Sequence, residues 1–563
     1  MSEFFSKDAI IAPPGYNRWR VPPASIAFHL CIGSVYAWTS FNMPLTRVLG
    51  VATSAADDWS LSSVVGIFTA AIICIGPAAS CAGSWLEKVG PRTVGLVAAC
   101  CWGGGFLIGS IGIMLHQLWL LYLGYGVIGG IGLGLGYVSP VSTLIRWFPD
   151  RRGMATGMAI MGFGGGAIIG APLKEALIRH FYQPPQFVGS ASDVQRTTSA
   201  GRLFAEVDGT RREVVVVDEK EAKAMIVPGQ MGVYVVGTGS VGVAETFVTL
   251  GLIYFGVMVV AALSFRIPGP DWRPAGWTPP DPKLAERKMM AHGHVGINEA
   301  MRTPQFYLLW IVLCFNITAG IGVLSVAKEI MSDLFRTALP EIVTSGFIKF
   351  YVVMISVFNC SGRFGWASAS DYLGRQRTYA IFLILGTILY GSIPWTARQM
   401  NVAPSLIWLI EFYAVTMLIF TLYGGGFATI PAYLADLFGT RFVGGIHGRL
   451  LTAWSVAGVL GPMTLTYLRG LSLTAAIQDL SSRIDPAVFE RQFQAPISQL
   501  GQLVQAKTVT ISKLLDLCPP GTPDPTCNLY NSTMFVMASL LAIAAVANAC
   551  IRPVDPKHFL KDE

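Results

Sequence analysis

Residues 146–157 read RWFPDRRGMATG, and residues 435–448 read ADLFGTRFVGGIHG. Each closes one long apolar block and opens another. Phe148 aligns with Phe438 and Arg151 with Arg441 at an offset of 290, and Pro172 and Pro462 keep that offset further on. A second pair stands at an offset of 284, where Glu87-Lys88-Val89-Gly90-Pro91-Arg92 parallels Asp371-Tyr372-Leu373-Gly374-Arg375-Gln376-Arg377. One such match is coincidence, whereas several at near-constant offset indicate a duplicated unit. Two parallel repeats in a membrane place a binding site at their interface, near the bilayer midplane.

The surrounding composition makes the bilayer the solvent. Of 563 residues, 53% are hydrophobic and 13% charged, with a mean hydropathy of +0.54; soluble domains carry roughly 25% charged residues. The apolar residues fall in blocks of about 20, enough to cross a ~30 Å hydrocarbon layer. Twelve spans are predicted, at 21–45, 60–84, 92–115, 118–145, 153–176, 244–266, 304–328, 343–368, 377–397, 404–434, 442–468 and 533–551. The 61 glycines suit helix backbones in close approach. The basic residues Lys7, Arg18, Arg20, Lys88, Arg92, Arg146, Arg151, Arg152, Arg266, Arg273, Lys283, Arg287, Lys288, Arg375, Arg377, Arg441, Arg552, Lys557 and Lys561 share one face if both termini are cytoplasmic. The N-terminal stretch lacks a signal-peptide core. The expectation is therefore an integral protein of the plasma membrane, or of the inner membrane in a bacterium.

The predicted organisation is an all-α membrane protein of two six-helix bundles. Residues 1–176 and 244–266 form the first, and 304–468 with 533–551 the second. They are joined by a cytoplasmic loop, 267–303, and followed by a tail, 552–563. Two external insertions interrupt corresponding places. Residues 177–243 contain a β-like run, and 469–532 alternate apolar and polar residues at helical spacing. They read as structural elaborations, with a bound protein partner as the other reading; the chain itself reads as monomeric. Cys518 and Cys527 flank a polar turn and are compatible with a disulfide or with two free thiols.

The net charge of +7 is dispersed, with no basic run interleaved with aromatics, so nucleic-acid binding has no support. No zinc or CxxC spacing is present. Nor is there an HExxH, GxSxG or P-loop motif. The chain reads as no enzyme, with no cofactor or metal, and gradient-driven transport needs none.

These motifs resemble the major facilitator superfamily, whose loop motif is Gly-x-x-x-Asp-x-x-Gly-x-Arg. Here it reads Gly83, Glu87, Gly90 and Arg92, with a second copy at Ala367, Asp371, Gly374 and Arg375. Within the superfamily, GSVYAWTSFNMPL (33–45), RTPQFYLLW (302–310), SDYLGR (370–375), LADLFGT (434–440) and IHGRLLTAWSVAGVLGP (446–462) resemble the oxalate/formate antiporters, which are related to monocarboxylate porters. The likeness implies a carrier of small carboxylates by alternating access, as antiport or proton symport. The other readings are a carrier of another solute class, or a non-transporting receptor acting through the insertions.

Arg363 is the expected anion anchor. It lies eight residues before Asp371, about 12 Å inside span 8, where an unpaired guanidinium is costly and a carboxylate is its natural bidentate partner. The resemblance implies a substrate-binding arginine at this position. In dicarboxylate antiporters it also implies a lysine in span 11, at the place of Trp454. One cation would leave half of a dicarboxylate uncompensated, so formate, lactate, pyruvate or acetate is favoured over oxalate. Animal monocarboxylate porters carry an aspartate where this chain has Asn359. By the same resemblance, Tyr36, Trp38, Tyr137, Tyr423 and Phe427 line the cavity. His29 and Glu411 are candidate proton carriers, while His447 and Arg449 read as helix-end or gating residues. Glu87, Arg92, Arg151, Arg152, Asp371, Arg375 and Arg441 form an expected ion-pair latch that breaks when the two halves rock.

Overall fold

A computed structural model describes residues 6–199, 202–223, 225–270, 272–278, 289–291, 293–493, 495–505 and 509–560. Lys283, Arg287, Lys288 and Lys561 lie outside the described residues.

The first span is broken. Helix α1 (Val21–Gly33) passes into a tight 3-10 turn, Ser34–Ala37, and then into α2 (Thr39–Leu45), with a bend of 46°. Helix α3 (Leu61–Met114) is 54 residues long, more than twice what a bilayer needs, and is broken at Gly90 (φ 83°, ψ 168°). Gly374 (φ 87°, ψ 148°) makes the same break between α9 and α10 below. A side chain would be strained in that region, so one glycine per repeat reverses the chain at the same place.

The first half continues with α4 (Leu118–Trp147), α5 (Arg152–Phe181) and α6 (Val243–Ser264). The second half contains α7 (Pro304–Ser325), α8 (Ala327–Phe335), α9 (Ser345–Leu373), α10 (Arg375–Val402), α11 (Leu406–Phe438), α12 (Val443–Leu450), α13 (Thr452–Ser482) and α14 (Asn531–Ala549). Ten helices among the described residues are long and apolar enough to cross a membrane, and the bent first pair makes eleven. Taking the arms of α3 on either side of Gly90 separately gives a count consistent with twelve spans. Helices suit such a chain, because each pairs its own backbone N–H and C=O groups where lipid offers no partner.

Both termini and the central segment share one face. Ile11 bridges to Ile267, and Val295 bridges to Phe559 in the tail. On the opposite face, β1 (Phe187–Gly189), β2 (Arg196–Ser199), β3 (Arg202–Val207), β4 (Thr210–Val217) and β5 (Gly232–Val235) form an antiparallel sheet ordered β1-β5-β4-β3-β2. The sheet rests on the connection between α2 and α3: Gly237 N–H donates to Leu49 O at 2.8 Å, and Arg202 pairs with Asp57 at 2.7 Å. Helix α13 stays helical well past residue 468, to Ser482. Arg469 on its outer part pairs with Asp333 of α8 at 3.0 Å, and Tyr530 donates to the same carboxylate at 2.7 Å. Each insertion is thus tied to its own half. Cys518 and Cys527 are both free thiols, donating to the carbonyls of Leu480 and Asp524.

The halves meet closely near the terminus-bearing face. A Cβ on Gly83 of α3 would come within 2.5 Å of Gly445 Cα in α12. Any side chain at position 83 would collide with the facing backbone, so this approach requires glycine there.

Candidate anion site between the two halves

Arg363 is fully buried in α9, at the seam between the halves. Its Nε donates to Asn359 Oδ1, one turn earlier, at 3.1 Å, and its Nη1 reaches Ile160 O of α5 at 3.4 Å. The guanidinium sits 5.1 Å from the ring of Phe427 in α11 and 5.8 Å from Phe163 in α5. Gly164 makes the space, since a Cβ there would lie 2.7 Å from Arg363 Nε. Among the described residues no carboxylate pairs with Arg363. Its Nη2 is buried with no hydrogen-bond partner.

The surrounding rings form a single cage. Phe163 packs edge-on against Tyr36 (5.3 Å between centroids), Tyr137 (5.3 Å) and Trp454 (5.3 Å). Trp454 also meets Tyr137 (5.3 Å) and Phe427 (4.8 Å), and Phe427 meets Tyr423 (5.3 Å). Such edge-to-face geometry fixes each ring and so each polar tip. The hydroxyls of Tyr36, Tyr137 and Tyr423 and the indole N–H of Trp454 are, like Arg363 Nη2, buried without a partner. Tyr36 and Tyr137 both approach the guanidinium, and Tyr36 approaches Tyr423. Each orphaned group costs about 1–3 kcal/mol, and every one of them can donate. An ionised carboxylate only accepts. The cage thus gathers donors around one guanidinium.

A cavity of about 440 Å³ leads to this cage, with Tyr36, Gly164 and Asn359 on its floor and Leu61, Lys328 and Glu329 towards its rim. It opens on the face opposite the termini.

The terminus-bearing side is closed by charge. Asp371 accepts the N–H groups of Gly153 and Met154 at the start of α5 (2.8 and 2.9 Å), and Arg375 Nη2 at 2.7 Å. Arg152 of the first half pairs with Asp436 of the second at 2.9 Å, and Arg375 holds the other oxygen of Asp436 at 2.9 Å. Glu87 pairs with Arg146 at 2.6 Å. Arg92 is buried at the start of the second arm of α3.

Several expected residues lie elsewhere. Trp38 packs at a tilt against Tyr125 (4.4 Å) and edge-on against Phe41 (5.6 Å) inside the first bundle, and so does not line the cage. Glu411 accepts a hydrogen bond from Thr396 near the outer end of α11, away from Arg363. Arg441 is exposed over the ring of Phe442 (5.2 Å) and Arg151 is exposed; neither enters the ion-pair network. The sequence reading missed Phe163 and Asp436, and placed Arg146 only among the basic loop residues. His447 sits deeper than expected, with its ring 5.8 Å from Tyr137. Arg449 is held at the helix end by Ile297 O at 3.1 Å.

Lys174 of α5 is also fully buried and was not anticipated. Its Nζ donates to Ser34 O at 2.7 Å and lies 4.8 Å from the Phe41 ring. A continuous helix would give Ser34 O to the Trp38 amide, but Trp38 N–H donates instead to Val35 O at 3.1 Å. Lys174 occupies the carbonyl released at the bend that carries Tyr36.

A sequence model of the Major Facilitator Superfamily matches residues 25–190. The oxalate:formate antiporter of Oxalobacter formigenes is 23% identical over 446 residues, covering 79% of this chain and 83% of the antiporter. Apicoplast pyruvate carrier 1 of Toxoplasma gondii is 23% identical over 487 residues, covering 78% and 81%. Human monocarboxylate transporter 11 is 30% identical over 152 residues, 26% of this chain and 31% of that one. Among solved structures, the E. coli fucose:proton symporter superposes with a TM-score of 0.54 at 11% identity, covering 94% of this chain and 97% of the symporter. The human organic anion transporter MFSD10 does so with 0.53 at 11%, covering 95% and 100%. These two likenesses are of fold alone.

Proposed function

We propose that the chain is a carrier of the major facilitator superfamily and moves small monocarboxylate anions by alternating access, with Arg363 as the anion anchor. The observation that carries this reading is the set of unpartnered donors around a fully buried guanidinium, at the floor of a cavity open to one side. A formate, lactate or pyruvate carboxylate entering there would take the free arm of Arg363 and the hydroxyls of Tyr36 and Tyr137, while the rings exclude water. The oxalate:formate and pyruvate carriers among its relatives support the substrate class.

The cage holds a single cation, with Trp454 where a second would stand, and this favours one carboxylate over two. The reading puts the terminus-bearing, Arg-rich face in the cytoplasm of a plasma or bacterial inner membrane. The closed ion-pair network would then make this conformation outward-open. Release would require Asp371, Arg152 and Asp436 to part, a discrete rearrangement of the kind alternating access needs.

The test is uptake of labelled formate, lactate, pyruvate and oxalate into proteoliposomes, comparing wild type with Arg363→Gln. Removing one partner of a buried charge pair costs about 3–5 kcal/mol, so flux of the favoured monocarboxylate should fall by about 100-fold or more. Equal flux in both proteins would remove Arg363 from the site. Absence of flux for every acid, from folded protein, would overturn the carrier reading.

A further inference from the structure

The ion pairs on the terminus-bearing side form two corners related by the internal repeat, and their charges differ. At one corner Asp371 and Asp436 meet Arg152 and Arg375, two carboxylates against two guanidiniums. The matching positions at the other are Glu87, offset by 284 from Asp371, and Arg146, offset by 290 from Asp436. Glu87 Oε2 is taken by Arg146 at 2.6 Å, and Lys7 Nζ donates to the backbone carbonyl of Glu87 at 3.1 Å. Arg441 arrives from the second half. A Cβ on Gly444 would stand 3.1 Å from Glu87 Oε1, so the start of α12 lies against Glu87, with Arg441 two residues before that helix. The Arg441 guanidinium is exposed over the Phe442 ring. Among the described residues, neither Lys7 nor Arg441 forms an ion pair.

Three cations from the two halves thus share one carboxylate. The crowding registers on Lys7. Burial pushes its ammonium below the ordinary value, and Arg146 and Arg441 push it further. Glu87 opposes this less than Arg146 imposes it, and the exposed Asp8 is the weakest influence.

We propose that this corner is a site for a phosphate dianion, held between Lys7 and Arg146 of the first half and Arg441 of the second. The chemistry follows from the charge count: three cations against one carboxylate leave two positive charges over, and a phosphate group carries about two negative charges near neutral pH. Chloride or a monocarboxylate would balance only one of them. Guanidinium forks suit the tetrahedral oxygens, and the ammonium adds a point charge. Because Arg441 is exposed, an anion reaches the corner without opening the fold. The site also has a consequence for the whole molecule. Arg441 stands beside Lys7 only while the halves are closed on this side, and a ligand shifts such an equilibrium by its preference for one state. Phosphate would therefore hold the terminus-bearing side shut. In a carrier that is a brake applied from the compartment this side faces. The inference goes beyond the carrier reading and does not depend on it. A free phosphate and a phosphatidic acid headgroup present the same group, and the experiment separates them.

The experiment uses full-length protein in detergent at constant ionic strength, so that screening is equal in every sample. The readout is hydrogen exchange at Gly153 and Met154, whose amides Asp371 holds across the seam. Inorganic phosphate should slow their exchange by about 3-fold or more, and chloride should not. Arg441→Gln and Lys7→Gln should each raise the half-saturating phosphate concentration by about 10-fold, the loss of one charge-assisted bond. Arg151→Gln, which removes an exposed arginine outside the corner, should match wild type. Lys7→Gln decides alone if Arg441→Gln fails to fold. Equal slowing by chloride overturns the inference, and so does a phosphate response that survives in the variants. Protein in phosphatidylcholine vesicles, with and without phosphatidic acid and free of inorganic phosphate, identifies the source. Slowing by inorganic phosphate alone names a soluble anion, and slowing by phosphatidic acid alone names a headgroup. No slowing by either overturns the site. These readouts follow the orientation of the halves rather than flux, so their failure leaves the carrier reading standing, and absence of flux leaves the site standing.

Discussion

The carboxylate of Asp371, at the end of α9, accepts the backbone N–H of Gly153 at the start of α5 at 2.8 Å, and its second oxygen takes the next amide, Met154, at 2.9 Å. One half of the molecule thereby caps a helix of the other. Four amides at a helix start lack partners within the helix, and a carboxylate there also meets the positive end of the macrodipole. The contact can form in only one orientation of the halves. Replacing a capping carboxylate by alanine costs about 0.5–2 kcal/mol, so Asp371→Ala should shift the balance between the two orientations by roughly 10-fold. Hydrogen exchange at Gly153 and Met154 reads this directly and should accelerate. Unchanged exchange at those amides would mean that the cap does not hold the closed side.

Asp436 is the hub of the same network, holding Arg152 from one half and Arg375 from its own. Asp436→Asn leaves two arginines facing each other, although Arg375 keeps Asp371. Arg152→Gln leaves Asp436 still paired. The asparagine variant should therefore be the less stable, by about 2–3 kcal/mol, since breaking a buried pair strands the remaining charge. Thermal unfolding in detergent checks the order. A more stable Asp436→Asn protein would contradict it.

Gly164 limits the position of Arg363. A Cβ at that position would stand 2.7 Å from Nε and 2.8 Å from Cδ, so Gly164→Ala must push the guanidinium off its place beneath Tyr36 and Phe163. Because the displaced atoms belong to a flexible side chain, the fold should survive, with a melting temperature within a few degrees of wild type. A shift of about 1 Å at a binding group is enough for a large loss, and KM for the transported acid should rise at least 10-fold. An unchanged KM would show that Arg363 does not set affinity.

Much of this arrangement is legible in the sequence, and the parts that are not have identifiable physical causes. The repeat offsets locate Gly90 and Gly374, and both adopt the same positive-φ break. The depth of Arg363 follows from counting helical rise back from Asp371. Trp38 escapes because it lies two residues from Tyr36, on the opposite side of any helix, and the 3-10 turn Ser34–Ala37 adds to the change of phase. Phe163 is hidden within a glycine run that reads as packing. Asp436 aligns with Arg146 at the offset of 290, so the repeats reverse the charge of one partner and motif comparison misses the pair. His447 reads as a helix-end residue by distance along the chain. Only the short α12, set off from α13 at Leu451, shows its ring turned towards Tyr137.

Lys174 separates a positional role from a stabilising one. Its bond to Ser34 O holds the bend two residues before Tyr36. Lys174→Met keeps the length and apolar stem but frees that carbonyl, a loss of about 1–3 kcal/mol. The same change removes the cost of keeping an ammonium group out of water. The two effects should offset, leaving thermal stability close to wild type while KM rises as Tyr36 loses its fixed position. A large fall in stability with unchanged KM would assign Lys174 to the fold alone.

The sharpest prediction concerns Trp454. It is fully buried, 4.8 Å from Phe427 and 5.3 Å from both Phe163 and Tyr137, on the side of the cage opposite α9. Antiporters of dicarboxylates resemble this chain but carry a lysine at the matching position. Trp454→Lys would place a second cation across the cage from Arg363 and open volume between them. Oxalate, with two carboxylates, could then neutralise both charges, while a monocarboxylate would leave one unpaired at a cost of several kcal/mol. The ratio of oxalate to pyruvate uptake should rise by about 100-fold, mostly through loss of pyruvate flux. Competition between the two labelled acids in the same proteoliposomes measures the ratio without depending on how much active protein is reconstituted. A ratio that does not move would show that the charge count inside the cage does not select between one carboxylate and two.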